Sequence, residues 1–203
     1  MKHDEWRERF KHRNDITSRI THLTNGDTNE KAFENLLNIL KDKKIKGGLG
    51  YVNGNTPVVC LQEAPLYSIA ENLMYEKSLR EESKSNKSRY RAFGLRFVKI
   101  FIYRMGGRPV IYENAKEMRK IIPASEYWRL VDMQLSDLDN LIDWSHEREW
   151  RVKNELCFEY TNTEIIVPSN TYYKKLITYC DDNNRMDILR EVNGIVTMNS
   201  INY

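Results

Sequence analysis

Glu147 and Glu149, two carboxylates separated by one residue, are the side chains in this 203-residue chain whose type and spacing best suit chemistry. They lie in the run Trp144-Ser145-His146-Glu147-Arg148-Glu149-Trp150-Arg151, where a segment of strand character begins. On a strand, residues two apart share a face, so both carboxylates are expected to point one way, with Arg148 opposite. Two like charges held close raise the pKa of one of them, which suits acid–base work or the gripping of sugar hydroxyls. The alternative is a solvated strand end whose Arg148 and Arg151 pair with nearby acids and contribute little.

Three other constellations stand upstream. Thr21-His22-Leu23-Thr24 sets a histidine between apolar and hydroxyl residues, where one ring nitrogen can be fixed by backbone while the other meets a ligand; a capping or core histidine has the same pattern. Gln62-Glu63-Ala64-Pro65-Leu66 puts polar groups at the carboxyl end of an apolar run, a common ligand position, or a turn stop ahead of Pro65. Between residues 89 and 99, Arg91, Arg96 and Lys99 interleave with aromatics, and Arg104 and Arg108 follow. Such a surface can stack bases and pair phosphates, while a half-buried strand with a basic outer face looks the same.

Other chemistries find less. The four histidines are scattered with no His-x-x-x-His pair, so no metal site is expected. A nuclease using Glu147, Glu149, Lys153 and a divalent metal lacks a matching upstream aspartate. Phosphate-binding glycine loops, the dinucleotide glycine turn and the serine-hydrolase elbow are missing from the sequence. A net charge of +3 does not by itself demand a nucleic-acid partner.

The elements that must position these residues read as an α+β fold, with a mixed, mainly antiparallel sheet and segregated helices, in a single domain over 1–203. Residues 1–20 form an expected N-terminal surface helix docking Trp6 and Phe10. Asp27 and Glu30 make a capping box for a core helix carrying Phe33, Leu36, Leu37 and Leu40. A strand over 57–61, a helix over 67–75 and a loop over 80–88 follow. A long strand over 93–103 is expected to turn at Gly106-Gly107 into a returning strand over 108–112. Helical spacing over 114–143, divided at Pro123, predicts the main helical layer. Strands over 149–160 and 165–167 precede a C-terminal helix and tail over 170–203. Cys60, Cys157 and Cys180, unpaired by spacing, read as buried thiols. No run reaches the length of a membrane span and residues 1–13 are charged, so a cytoplasmic protein with no membrane partner is expected.

In their order, Ile20-Thr21-His22-Leu23-Thr24, residues 59–66, residues 90–99, Pro109-Val110-Ile111-Tyr112 and His146-Glu147-Arg148-Glu149-Trp150-Arg151 resemble the AbiGi-type family of abortive phage-resistance proteins over roughly residues 15–170. That resemblance implies a phage-defence or toxin–antitoxin context, bacterial and cytoplasmic. A second resemblance is to ADP-ribosyltransferases, including the DarT toxins, whose pattern is an early His or Arg on a strand, a middle Ser, Thr or Tyr, and a late Glu, often as Glu-x-Glu. His22, then Tyr90 or Tyr112, then Glu149 fall in that order, with no clear Ser-Thr-Ser strand. The resemblance implies an ADP-ribosyltransferase-like fold that transfers ADP-ribose from NAD to a nucleic acid or protein. It makes Glu149 the carboxylate facing the ribose as cationic character develops, and Glu147 the group that orients or deprotonates the acceptor. It makes His22, with Thr24 beside it, Gln62, Glu63, Tyr90 and Tyr112 the NAD-binding set.

The competing expectation is a non-enzymatic antitoxin or regulator. It would bind a cognate protein or nucleic acid through Arg91, Arg96, Lys99, Arg104 and Arg108. Convergence of His22, Gln62 or Glu63, and Glu149 on one cleft marks a site; Glu149 paired with an arginine on an open face argues against one.

Overall fold

The computed structural model describes residues 1–83 and 90–201. In chain order the elements are α1 (His3–Lys11), β1 (Arg19–Leu23), α2 (Asn29–Asp42), β2 (Lys44–Lys46), β3 (Val58–Gln62), α3 (Leu66–Ser83), β4 (Gly94–Val98) and α4 (Lys99–Arg104). There follow β5 (Arg108–Pro109), β6 (Ile111–Glu113), α5 (Ala115–Met118), β7 (Leu130–Asp132), β8 (Glu149–Lys153) and β9 (Glu155–Cys157). The last are β10 (Thr163–Val167), α6 (Asn170–Asp182), α7 (Met186–Glu191) and β11 (Gly194–Thr197).

Seven strands form the main sheet in the order β11-β10-β4-β1-β3-β8-β5. All neighbours are antiparallel except β10 and β11. The fold is therefore α+β on a mixed, mostly antiparallel sheet. β1 pairs with β4 over five registered residues and β3 with β8 over five, but β1 meets β3 at Thr21–Gln62 alone. The sheet is thus nearly split between β1 and β3. Gly94 is needed at the tight β1–β4 seam, where a Cβ would stand 2.1 Å from the carbonyl oxygen of His22.

One face of the sheet buries Ile20, Val59, Leu61, Leu95, Phe97, Trp150, Val152, Ile165 and Val167 under α2, α6 and α7. α2 supplies Ala32, Leu36 and Leu40 at helical spacing. The Thr28 hydroxyl accepts from the Lys31 amide, so the helix is capped one residue later than the Asp27–Glu30 reading. It ends at Lys43, whose φ of 49° lets its amide reach the carbonyls of Ile39 and Leu40. The other face carries a smaller cluster of Leu23, Ala64, Ile69, Ala70, Ile166 and Met198 beneath α3.

Several expected elements differ. The N-terminal helix covers only His3–Lys11 and buries no residue; Arg19 and Ile20 belong to β1. α3 runs well past 75 to Ser83, and the loop reading from residue 84 to 88 lies outside the described residues. The 93–103 strand stops at Val98 and continues as α4. Its apolar run fits strand and helix equally, and Phe97 and Phe101, four apart, stack at helical spacing. No hairpin returns to β4: β5 pairs with β8, and β6 pairs in parallel with β7.

The helical layer over 114–143 is the largest departure. Its buried apolar residues, Trp128, Leu130 and Val131, lie in a 3₁₀ turn and β7, while Ile121, Leu135, Leu138 and Leu141 are exposed, Leu138 at 84%. Asp137 and Asp143 accept the amides of Asp139 and Ser145 two residues on, the local bonding that favours turns over helix. The helical layer on the core is α2, α6 and α7. In the tail, β11 adds a parallel edge strand to β10.

Candidate functional site

β3 and β8 bring the two main motifs together. Gln62 is the register partner of Glu149, and Thr21 is the register partner of Gln62. Paired residues share a face, so Thr21, Gln62 and Glu149 form a row across three neighbouring strands. Cys60 and Arg151 pair one step along on that same face.

Arg151 takes both oxygens of Glu149, Nε at 2.8 Å and Nη2 at 3.3 Å, and its Nη1 donates to the Trp128 carbonyl at 2.7 Å. The two side chains are 4% and 11% exposed. Glu149 is thus paired with an arginine, but inside the fold and not on an open surface. A bidentate guanidinium fixes the carboxylate plane and leaves the remaining lone pairs for a ligand. The backbone amide of Glu149 also donates to the Tyr112 hydroxyl at 2.7 Å.

Glu147 reaches the same place by a different route from the strand alternation expected. It ends a 3₁₀ turn over Ser145–Glu147, and Arg148 follows at φ 45°, bending the chain sharply before β8 begins. The Tyr90 hydroxyl donates to Glu147 at 2.9 Å. The electrostatics record the convergence. Burial, with Glu147 and then Glu149 nearby, pushes the Tyr90 phenol well above its ordinary value. Burial, with Glu149 and Glu147, pushes Tyr112 up to about 12. Burial by its surroundings, with Glu149, pushes the Cys60 thiol up to about 12 although Cys60 reaches solvent. The reading of three buried thiols therefore holds for Cys180 only, since Cys157 is also exposed.

A cavity of about 440 Å³ opens beside this row, between the end of β3, the 3₁₀ turn and α3. Gln62, Ala64, Ser68, Ile69, Glu71, Asn72, Tyr75, His146 and Glu147 line it. Gln62 is 6% exposed and Thr21 1% exposed. The Gln62 Nε2 and the Thr21 hydroxyl have no hydrogen-bond partner among the described residues. A buried amide left unmet carries a desolvation cost that a ligand or ordered water would relieve.

His22 does not join them. Alternation turns it to the α2 face with its register partner Leu95, and its Nδ1 lies 2.9 Å from the Cys60 carbonyl. A carbonyl only accepts, so Nδ1 carries the proton. Burial lowers the ring's pKa, partly opposed by that bond. His22 ties β1 to β3 where the strands separate. Thr24 is buried and donates to the carbonyls of Ala32 and Phe93, which fixes the start of α2 against β4. Glu63 is held by Lys99 and by the Trp150 indole at 2.7 Å.

The basic residues are also engaged within the fold. Arg91 donates to Gly26, Asp27 and Asn29. Arg96 and Arg19 share Glu164, at 2.9 and 2.8 Å. Arg108 donates to Tyr103 and Gly107 and stacks on the Tyr103 ring. Arg104 is exposed.

Compared with family models, curated proteins and solved structures, the chain finds no match. Among the described residues no cluster of His, Cys, Asp and Glu could hold a metal ion, and no helix is long and apolar enough to cross a membrane.

What sequence reasoning missed is the part played by Arg151, Cys60 and α3. Arg151 stands in the motif, where the alternative reading pairs it with nearby acids at a solvated strand end; the pairing is there, but buried. The signal for its burial was its position between Trp150 and Val152 on a strand buried on both faces.

Proposed function

We propose that this chain is an NAD-using ADP-ribosyltransferase-like protein of phage-defence or toxin–antitoxin context, with a nucleic acid or protein as acceptor. The observation that carries the reading is the row Thr21–Gln62–Glu149. Motifs far apart in sequence come to neighbouring strands, with an unpartnered hydroxyl and amide beside a fixed carboxylate. Those groups suit a ribose, whose hydroxyls both donate and accept. Glu149, oriented by Arg151, faces the ribose as the bond to nicotinamide breaks and its electron pair leaves with nicotinamide. Glu147 orients the acceptor and takes its proton. Tyr90 supports Glu147, and Tyr112 fixes the backbone at Glu149. His22 acts here as a positioning residue, through its tie to β3.

The competing reading, a non-enzymatic regulator binding through the basic surface, is less well supported because Arg91, Arg96, Lys99 and Arg108 already have partners in the fold. The test incubates the protein with labelled NAD and single-stranded DNA, RNA and protein. Label transfer by wild type and its loss in Glu149→Gln support the reading. No NAD binding and no transfer by folded wild type overturn it.

A further inference from the structure

Residues 135–141 form a closed surface lobe between β7 and the 3₁₀ turn that precedes β8. Gln134 and Ile142 exchange both backbone hydrogen bonds at its neck, each 2.9 Å. Inside it the Asp137 carboxylate accepts the amide of Asp139 and the Asp137 carbonyl that of Asn140. Its own bonds thus hold its shape, as in a compact loop, and all seven residues are exposed. Leu135, Leu138 and Leu141 recur at intervals of three and are 49%, 84% and 55% exposed. One exposed leucine is ordinary, but three on one short lobe make an apolar surface of the kind that marks an interface. Its charge is of one sign: from Val131 to Glu147 there are five acidic residues and no lysine or arginine, with Asp137 and Asp139 between the leucines. Such a lobe fits an apolar recess rimmed by positive charge.

The same chain presents one. A cavity of about 610 Å³ lies between α2 and α6, lined by the rings of Phe33 and Tyr179 and by Lys174 and Lys175. Asp182 is the one acid on its lining, so the recess keeps a net positive charge. Lys175 also stands 4.0 Å from Glu30, which makes the exposed Lys174 the stronger contact for an incoming carboxylate. Lobe and recess stand at opposite ends of the main sheet: the lobe leads into β8, next to the β5 edge, while α6 packs on β10 and β11. They do not meet within one chain. A second copy related by a two-fold axis brings each lobe to the other's recess, so that every contact is made twice and the pair is closed.

We propose that the lobe around Leu138 seats in the α2–α6 recess of a second copy of this chain, with Leu138 against Phe33 and Tyr179 and Asp139 beside Lys174. The leucine supplies the apolar burial that holds the pair together, and the opposite charges select the register and disfavour lobe-to-lobe contact. Asp139 is the carboxylate for Lys174, since that of Asp137 is engaged by the Asp139 amide. The pairing stands independently of the NAD reading, and NAD plays no part in its test.

The experiment is sedimentation velocity on the whole chain over a micromolar concentration series. Wild type is compared with Leu138→Ser, Lys174→Glu, Asp139→Lys and the double variant Asp139→Lys/Lys174→Glu. All three positions are exposed, so the fold is expected to persist, and the urea midpoint of each variant checks it. Wild type is expected to form a dimer, with the dimer Kd raised about tenfold or more by each single substitution. The double variant, which exchanges the two charges, is expected to recover most of the loss from either charge reversal. A monomer at every concentration overturns the proposal, as does a dimer that none of the variants weakens. Growth past the dimer overturns the closed pair. Weakening by Leu138→Ser but not by Lys174→Glu overturns the recess as the seat of the lobe, and charge reversals without recovery in the double variant overturn the contact between Asp139 and Lys174.

Discussion

Glu149 is clamped by Arg151 two residues further along β8, through both carboxylate oxygens at 2.8 and 3.3 Å. Both side chains are buried, so neither charge can be removed without leaving the other stranded. Glu149→Ala or Arg151→Ala is expected to lower stability by about 3–5 kcal/mol. Glu149→Gln, which keeps an acceptor oxygen and the side-chain shape, is expected to lower it less. Urea unfolding followed by tryptophan fluorescence measures the difference. Equal losses in Glu149→Ala and Glu149→Gln would contradict the clamp.

His22 makes a pH-dependent contribution. Burial lowers its pKa below the ordinary 6.5, so near that pH the unfolded chain binds a proton that the folded chain does not. The neutral ring is therefore favoured in the fold, and this part of the stability falls as pH drops below about 6.5. The loss continues down to the folded-state pKa. Thermal unfolding between pH 5 and 8 is expected to show this slope in wild type and a flatter one in His22→Asn. An unchanged slope in the variant would assign it to other groups.

The β1–β4 seam makes Gly94 a sensitive position. A methyl there would meet the backbone of His22 and Leu23, which cannot move without breaking the ladder. Gly94→Ala is expected to cost about 3 kcal/mol by overpacking, read as a lowered urea midpoint. A midpoint within error of wild type would mean that the two strands are further apart than described.

Much of this arrangement was legible in the residues, and the reasons for the rest are physical. The α+β class and the β3 strand followed from patterns that local packing confirms, because Val58, Val59 and Leu61 are apolar and buried. The nearness of Glu147 to Glu149 was also legible, but its cause was not: a left-handed Arg148 leaves no signal in residue type. The 114–143 segment shows helical spacing over its length but keeps only the short α5, because Leu130 and Val131 bury as strand β7 and Leu135 and Leu138 stay exposed, and periodicity does not distinguish these outcomes. His22 and Glu149 looked like partners in sequence order. Strand parity set them on opposite faces, and parity depends on the β1–β3 register, which distant pairing fixes.

Cys60 reports on the site without taking part in transfer. Burial and the Glu149 carboxylate push its thiol up to about 12, so at pH 8 little of it is thiolate despite its exposure. Alkylation of Cys60 is expected to be slow in wild type and several-fold faster in Glu149→Gln, measured by peptide mass spectrometry (about threefold to tenfold by the usual size of one neighbouring charge). No acceleration would place Glu149 too far from the thiol to act on it.

The central claim is that Glu149, held by Arg151 and registered with Gln62, works on NAD. Nicotinamide release from NAD, followed chromatographically, tests it most directly when wild type, Glu149→Gln and Glu147→Gln are compared after each is shown to be folded. Release by wild type, about a hundredfold loss in Glu149→Gln by the usual weight of one electrostatic contact in a transition state, and a smaller loss in Glu147→Gln are expected. Equal release by wild type and Glu149→Gln, or none from folded wild type with NAD and acceptor present, would contradict the account.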